Sequence, residues 1–252
     1  MIPIKDDNPT HRTPVLTIGL IVACVLVFLF QAQKPDDASL EGQQAFACEY
    51  GLVADHLVNG EDRREPSGRD GGLATCQGLN QEHNRFLGLF TSQFLHGGWL
   101  HLAGNMLFLW VFGNNIEDRL GRLRFLPFYL LCGALAGLAQ VATDPSGDIP
   151  LIGASGAISG VLGAYLVLYP RVLVWTVVPP FFFLPFRVPA WMWLGIYFAL
   201  QFLYLGDEST VGGGGVAYFA HIGGFAAGAA LITPFGAGRE PPARSPAVGP
   251  VY

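Results

Sequence analysis

The segment GASGAISGVLGAY, residues 153–165, is a run of small residues with two serines that opens a hydrophobic stretch ending at Tyr169. Gly153 and Gly156 flank Ser155 with residues that lack a Cβ, so the backbone can turn sharply there and another group can approach the hydroxyl. Because the segment continues as a helix, we expect Ser155 at a helix N-terminus, where unpaired N–H groups favour a developing negative charge. The pattern therefore predicts a nucleophilic serine.

The same small residues also have a purely structural explanation. Gly156, Gly160 and Ala164 recur at every fourth position and would form a smooth face for tight helix packing in a membrane. Ser155 and Ser159 would then lie beside that face without a chemical role. The choice depends on whether residues able to activate a serine occur elsewhere in the chain.

The chain is too apolar for a soluble domain of its length. Of its 252 residues, 51% are hydrophobic and only 13% are charged, whereas soluble domains have about 25% charged residues. This composition predicts an integral membrane protein embedded in the lipid bilayer. The chain has no basic patch for nucleic acid, and its four cysteines lack the spacing of metal ligands. We therefore expect no nucleic-acid partner and no metal bound by the cysteines.

Six apolar segments are candidates for transmembrane helices. They are residues 14–31, residues 101–114, a segment with Pro127 in its first turn that ends near Thr143, and residues 155–169, 190–205 and 216–232. Residues 86–99 are apolar but interrupted by glycine, and residues 179–189 contain four prolines. We expect both of these stretches to lie along the membrane interface.

Lysine and arginine are unevenly distributed among the loops that join these segments. With six spans, the turns at residues 144–150 and 206–215 have none, whereas the opposite side receives Lys5, Arg12, Arg119, Arg122, Arg124, Arg171, Arg187, Arg239 and Arg244. The positive-inside rule then places both termini in the cytoplasm.

The predicted fold is an all-α membrane protein with six transmembrane helices. Residues 1–13 would be a cytoplasmic N-terminus, and residues 14–234 the membrane domain, with a long outer loop at 33–85. Residues 235–252 are rich in proline, glycine and arginine, which predicts a disordered cytoplasmic tail.

Four polar residues lie at a similar depth within the predicted spans. His101 and Asn105 are four residues apart and share one face of the second span. Ser155 opens the fourth span, and His221 lies about one turn into the sixth. At 1.5 Å per residue, all four fall within roughly 10 Å of the same depth. Taken singly, each is explained by a hydrogen bond between helices, but together they predict a hydrolytic site.

The residue types suggest the roles within such a site. A serine hydroxyl is a weak nucleophile until a base removes its proton, and His221 is the only histidine in spans three to six. His101 and Asn105 would donate hydrogen bonds to the oxyanion of a tetrahedral intermediate, together with the backbone N–H of Ser155. No Asp or Glu lies at a matching depth to orient the histidine, so the prediction is a Ser-His dyad.

These motifs resemble those of the rhomboid family of intramembrane serine proteases, bacterial type, over about residues 86–234. GASG at 153–156 is similar to the family's nucleophile motif, HIGGFAAG at 221–228 to its last-helix motif, and HLAGN at 101–105 to its oxyanion motif. The resemblance implies a six-helix rhomboid-like bundle with this nucleophile, base and oxyanion site. It also implies accessory or structural roles for His96, Gly153, Gly156, Glu117, Gly224 and Gly228.

The resemblance implies hydrolysis of peptide bonds in transmembrane substrate proteins near the outer membrane boundary, without metal or cofactor. The protein would be a multi-pass protein of the bacterial cell membrane. The main alternative is an inactive rhomboid-like adaptor or chaperone that binds transmembrane helices, although such relatives typically lose the serine or the histidine. A transporter or channel is a third class, but the spans show no internal repeat and no acidic residue at mid-depth.

Two features depart from the family's pattern. Arg85-Phe86 does not match the Trp-Arg pair that many members have in the first loop. Many members also have an aromatic residue four positions after the nucleophile, where this chain has Ser159. Neither departure removes a catalytic group.

Two further expectations concern the outer side. Residues 206–215 contain five glycines, which predicts a mobile lid at the mouth of the site. Cys48 and Cys76 both lie in the outer loop, where disulfides persist, so we predict a bond between them, with two unpaired thiols as the alternative. Cys24 and Cys132 lie in apolar runs and are expected to be packing residues.

Overall fold

A computed structural model describes residues 1–33, 40–60, 76, 85–178, 182–203 and 217–237. Within these residues the chain is mainly helical. The helices are α1 (Val15–Gln33), α2 (Leu40–Tyr50), α3 (Ala54–Asn59), α4 (Gly88–Thr91), α5 (Trp99–Phe108), α6 (Asn114–Leu120), α7 (Arg122–Thr143), α8 (Ser155–Leu168), α9 (Ala190–Leu203) and α10 (Tyr218–Leu231). The strands are β1 (Ile2–Asp6), β2 (Leu173–Val178) and β3 (Phe182–Pro189).

The second predicted span is one continuous helical path from α5 to α6. A π-helical turn, Leu109–Gly113, joins the two helices, and Leu109 and Asn114 at its ends keep helical φ angles of −63° and −55°. The path covers residues 99–120 and is therefore longer than the predicted 101–114. It has His101 near one end and Glu117 near the other.

The remaining long helices lie where the sequence predicts them, with one shift. Helices α1, α8, α9 and α10 coincide with the apolar segments at 14–31, 155–169, 190–205 and 216–232. Helix α7 begins at Arg122, so Pro127 lies in its second turn rather than in its first.

Only some of the described helices have the length of a full membrane span. Val15–Ala32 and Arg122–Thr143 are long and apolar enough to cross a membrane. The apolar segments Ser155–Leu168, Ala190–Leu200 and Tyr218–Leu231 are shorter. Six crossings, and the side of the membrane on which the termini lie, therefore remain predictions.

A three-stranded antiparallel sheet corrects the all-α prediction. Strand β2 pairs with β1, with Val177 opposite Ile2, and with β3, with Leu173 opposite Pro189. Valine, tryptophan, threonine and phenylalanine are frequent in β2 and β3, and these residue types favour a pleated, half-buried surface. Residues 182–189 form no helix, as predicted. Pro185 and Pro189 lie in β3, which is at the edge of this sheet, where proline is tolerated.

The sheet ties the residues before α1 to the far end of α8. The Tyr165 hydroxyl and the Asn115 amide, the latter at 2.9 Å, donate hydrogen bonds to the carboxylate of Asp6. Tyr165 belongs to the helix that begins at Ser155. Residues 1–13, for which the sequence predicts a cytoplasmic N-terminus and no strand, thus include a strand that contacts the serine helix.

Glu117 ties α6 to the start of α1. The helices pack around buried aromatic residues. Glu117 is also buried, with only 3% of its surface exposed. Its carboxylate accepts hydrogen bonds from the backbone N–H groups of Leu16 (3.0 Å) and Thr17 (2.7 Å) and from the Thr17 hydroxyl (2.8 Å). These N–H groups belong to the first turn of α1, which has no partners for them within the helix.

Residues 33–85, predicted as an outer loop, include α2, α3 and a disulfide bond in their described part. Cys48 and Cys76 are bonded, with Cα atoms 5.5 Å apart, which agrees with the predicted pairing. Cys24 and Cys132 are free and fully buried, as expected for packing residues.

The structure describes residues 235–237 of the predicted tail. Thr233–Ala237 form a π-helical turn, and the Phe235 ring packs edge-on against Phe128 with centroids 5.5 Å apart. The tail from residue 238 and the predicted lid at 206–215 lie outside the described residues.

Candidate active site

Ser155 is the first residue of α8, as the glycine-rich segment predicts. Gly153, two residues earlier, has a φ of +124°, a backbone conformation that residues other than glycine rarely adopt. Its N–H donates a hydrogen bond to the carbonyl oxygen of Ser92 at 2.8 Å, and this bond fixes the turn. The first backbone hydrogen bond of α8 runs from Ile158 to Ala154. The Ser155 N–H therefore precedes the hydrogen-bond ladder of the helix.

Helices α8 and α10 are in direct backbone contact. A Cβ on Gly224 would collide with the carbonyl oxygen of Gly156, and a Cβ on Gly228 would collide with that of Gly160. The second pair lies four residues after the first in both helices. The two helices therefore run in the same direction. His221 is buried and lies three residues before Gly224. This arrangement brings His221 to the end of α8 at which the helix starts.

His101 and Asn105 lie against the turn that precedes the serine. A Cβ built on Gly153 would lie 2.8 Å from Nε2 of His101 and 3.7 Å from Nδ2 of Asn105. The Gly97 N–H lies 3.4 Å from Nδ1 of His101, a contact in which Nδ1 accepts. The proton of a neutral His101 then lies on Nε2, so this nitrogen is a donor.

Asn105 supplies a second donor in the same space. The residue is buried, and its Nδ2 has no hydrogen-bond partner within the part of the chain that the structure describes. A buried N–H group without a partner is costly. Two N–H donors, one from each of these α5 side chains, thus lie beside the turn at Gly153.

His96 joins this group of polar side chains. It is fully buried, and its ring lies edge-on to that of His101 with centroids 5.2 Å apart. Its Nδ1 lies 3.3 Å from the carbonyl oxygen of Phe94, while its Nε2 has no partner among the described residues. His101 also lies close enough to His221 for the two imidazoles to interact electrostatically.

Ser92 and Gln93 are site residues that the sequence reasoning missed. With Gly133, Gly153 and Ser155 they line a cavity of about 20 Å³, which has room for about one water molecule. The Gln93 amide nitrogen donates to the carbonyl oxygens of residues 89 and 130, and its Oε1 lacks a partner in the described part of the chain. The sequence does contain a signal for them, because these two polar residues interrupt the apolar stretch 86–99.

Several predicted residues lie outside this group. Glu117 lies at the other end of the helical path 99–120. It lines a larger cavity of about 620 Å³, which is not lined by Ser155, His221, His101 or Asn105. Cys48 and Cys76 belong to the outer loop. Ser159 is buried one turn further along α8 than Ser155.

The arrangement has the components of acyl transfer to a serine. Helix α8 presents a hydroxyl at its start, α10 approaches that start with an imidazole, and α5 contributes two N–H donors beside it. Within the described residues, no three His, Cys, Asp or Glu side chains cluster closely enough to hold a metal ion.

Comparison with known proteins agrees with the resemblance noted in the sequence. The family model of the rhomboid domain matches residues 83–237. RHOMBOID-like protein 5 of Arabidopsis thaliana is 40% identical over 78 residues, and Rhomboid protease GluP of Bacillus subtilis is 45% identical over 78 residues. Rhomboid protein 1, mitochondrial, of Saccharomyces cerevisiae is 30% identical over 142 residues.

These alignments cover parts of the proteins rather than whole chains. They include 31%, 31% and 55% of this chain, and 25%, 15% and 38% of the length of the three relatives in the same order. The rhomboid model, in contrast, matches more than half of this chain, including all four residues of the predicted catalytic and oxyanion groups. The chain therefore belongs to the rhomboid family, a family of helical, membrane-embedded proteins that includes serine proteases and inactive members.

Proposed function

We propose that this chain is an intramembrane serine endopeptidase that hydrolyses transmembrane substrate proteins near the outer membrane boundary. Ser155 is the nucleophile and His221 is the general base. The observation that supports the proposal is the direct contact of α10 with α8 at Gly224 and Gly156, because His221 precedes Gly224 by three residues and so lies near the level at which the serine helix starts. Inactive adaptors of this family typically lose the serine or the histidine, and this chain has both.

In the proposed reaction, His221 takes the proton of the Ser155 hydroxyl as its oxygen attacks the peptide carbonyl. The resulting imidazolium then gives this proton to the leaving amine. A water molecule enters and attacks the acyl carbonyl while His221 takes one of its protons. The imidazolium then returns this proton to the Ser155 oxygen as the ester bond breaks, which restores the serine hydroxyl and the neutral histidine. With no carboxylate assigned to orient the histidine, packing against α8 takes over that role.

The developing negative charge on the carbonyl oxygen needs donors that are in place before the reaction. Three are proposed: the backbone N–H of Ser155, Nδ2 of Asn105 and Nε2 of His101. Their support is local geometry, since the two side-chain nitrogens lie beside the turn at Gly153 and the Asn105 donor has no other partner in the described chain. Donors held in a water-poor site stabilise an oxyanion more than donors in water do.

The proposed setting is a multi-pass protein with six transmembrane helices and both termini in the cytoplasm. Lysine and arginine flank the spans on the side assigned to the cytoplasm, and the outer loop carries a disulfide bond, which persists in oxidising compartments. Relatives occur in a bacterium and in mitochondria. A bacterial cell membrane stays a prediction.

The proposal is tested by comparing cells that express the wild-type chain with cells that express Ser155→Ala or His221→Ala. New protein termini in or near transmembrane segments, identified by mass spectrometry of membrane fractions and culture medium, should appear only with the wild-type chain. Ser159→Ala serves as the control and should retain them. Termini that persist in both Ser155→Ala and His221→Ala cells, or that never appear, would contradict the proposal.

A further inference from the structure

The outer loop is hydrogen-bonded to the segment that leads into the serine. We call residues 147–154 the nucleophile loop. Leu52, which follows α2, and Leu151 exchange two backbone hydrogen bonds, of 3.0 and 2.8 Å. The N–H of Asp55 donates to the carbonyl oxygen of Gly147 at 3.0 Å. Two elements far apart in sequence are thus joined along the backbone.

The disulfide bond adds a further connection to the same loop. The backbone N–H of Cys76 donates to the carbonyl oxygen of Asp148 at 2.9 Å. Cys76 is held to α2 by its bond to Cys48, 28 residues earlier in the chain. Residues 47–55 together with Cys76 are called the outer clamp below. The clamp therefore contacts the nucleophile loop at residues 147, 148 and 151.

Side-chain packing supports these hydrogen bonds. Leu52 is 2% exposed and forms a small apolar cluster with Leu57 and Val141, against which Leu151 also packs. A Cβ built on Gly51 would lie 3.1 to 3.2 Å from the side chains of Ile152 and Pro150. Space between the clamp and the loop is therefore already filled, and a shift of one would displace the other.

The distance along the chain from the clamp to the nucleophile is short. Leu151 is four residues before Ser155, and the intervening Gly153 is held by its hydrogen bond to Ser92. The loop is thus fixed at Leu151 by the clamp and at Gly153 by the turn. Beside Gly153 lie the side chains of His101 and Asn105, so movement of the loop would alter the oxyanion site as well as the serine.

We propose that the outer clamp positions the nucleophile loop, so that the serine site is fully active only while Cys48 and Cys76 are bonded. Leu52, Cys48 and Cys76 are positioning residues, since they act through the loop and not on the substrate. This inference rests on the proposed serine protease function. A dithiol such as dithiothreitol would reduce the disulfide to two thiols and become a cyclic disulfide itself, which gives the clamp a redox dependence.

The test uses the full chain in proteoliposomes, with the rate of Ser155 labelling by a fluorophosphonate as the readout. Misplacing a reacting group by about 1 Å costs on the order of 100-fold in rate. Labelling should slow by about 10- to 100-fold after treatment with dithiothreitol, in the double variant Cys48→Ser/Cys76→Ser and in Leu52→Ala. Reoxidation of the reduced wild-type protein should restore its labelling rate. The double variant should no longer respond to dithiothreitol. Equal labelling rates in wild-type and double-variant protein would overturn the inference.

A matched variant separates positioning from general stability. Leu20→Ala in α1 removes a side chain that is also buried, at 6% exposure, and should label at the wild-type rate. If Leu20→Ala slows labelling as much as Leu52→Ala does, the clamp has only a structural role and the inference fails.

Amide hydrogen exchange gives a readout that does not need activity. The amides of Cys76 and Leu151 should exchange at least about tenfold faster after reduction of the disulfide, because the chain between the cysteines is then less constrained. Unchanged exchange of Leu151 would refute the clamp even if the wild-type protein labels normally. Failure of the wild-type protein to label at all would count against the proposed function instead, and the exchange measurement would still decide on the clamp.

Discussion

Gly228 of α10 lies directly against the backbone carbonyl of Gly160 in α8, and Gly224 lies in the same way against Gly156 one turn earlier. No side chain separates the two helices at these points, so their relative height is fixed by backbone contact. The imidazole of His221 and the hydroxyl of Ser155 come from these two helices. The spacing of the proposed dyad is therefore set by glycines that take no part in the chemistry.

Replacing Gly228 by alanine should separate the dyad. The new Cβ would collide with the Gly160 carbonyl, which belongs to the backbone and cannot rotate away, so α10 must shift. A displacement of about 1 Å should lower cleavage and fluorophosphonate labelling by about 100-fold. Gly19→Ala in α1 is the control, since its Cβ would meet no atom within 4 Å, and it should behave as wild type. Full activity of Gly228→Ala would show that the dyad does not depend on this contact.

Asn105→Ala should produce a slow enzyme and not a dead one. Removing one of three oxyanion donors costs on the order of 10²- to 10³-fold in kcat, and the other two remain. Asn105→Asp keeps the shape of the side chain but replaces the donor with acceptor oxygens, and should be at least as slow. The measurement is kcat for a cleaved transmembrane peptide, with protein folding checked by thermal unfolding. Wild-type kcat in both variants would remove Asn105 from the oxyanion site.

Ser159→Ala should keep substantial activity. Ser159 is buried one turn along α8 from Ser155, and its backbone N–H lies within the regular helix, so it lacks the free N–H groups of a helix start. Cleavage within a few-fold of wild type is the expected result in the same peptide assay. If Ser159→Ala were inactive while Ser155→Ala cleaved normally, the wrong serine would have been assigned.

The Asp6 carboxyl should make stability depend on pH. Burial raises the pKa of Asp6 from its ordinary 3.8 to about 6, while hydrogen bonds from Tyr165 and Asn115 lower it in part and the neighbouring charge of Asp7 raises it slightly. A folded-state pKa above the unfolded value means that folding takes up a proton. The contribution to stability is therefore fully present below about pH 4 and is lost as the pH rises through about 6.

Asp6→Asn is the variant that isolates this effect, because its side chain is neutral at every pH. The thermal stability of the wild type relative to Asp6→Asn should rise as the pH is lowered from about 7 to about 4. Differential scanning measurements in detergent on both proteins give the comparison. A wild-type advantage that stays constant or shrinks over this range would contradict the assignment.

The parts of the fold that depend on local patterns could be predicted from the sequence. Apolar runs located α1, α8, α9 and α10, and the glycines around Ser155 located the start of the serine helix, because these signals lie within a few neighbouring residues. The disulfide was also predicted, from two cysteines in one outer loop. Family membership followed from motif order and spacing, and the family comparison confirms it.

Features that depend on distant residues could not be predicted in the same way. Strand β1 needs a partner more than 160 residues away, as in the pairing of Ile2 with Val177, and the prolines of β3 suggested only the absence of a helix. The role of Gln93 depends on a cavity formed by four separate parts of the chain. The clamp on the nucleophile loop depends on backbone hydrogen bonds. Nearly every residue has these N–H and C=O groups, so the residue types do not indicate which of them will pair.

In the proposed mechanism, Ser155 is a nucleophile activated by His221. This activation is tested most directly by the rate of fluorophosphonate labelling in wild type, Ser155→Ala and His221→Ala, with the labelled residue mapped by mass spectrometry. The label should map to Ser155, disappear in Ser155→Ala, and form at least about 100-fold more slowly in His221→Ala. Labelling of His221→Ala at the wild-type rate, or a label that maps to another serine, would contradict this mechanism.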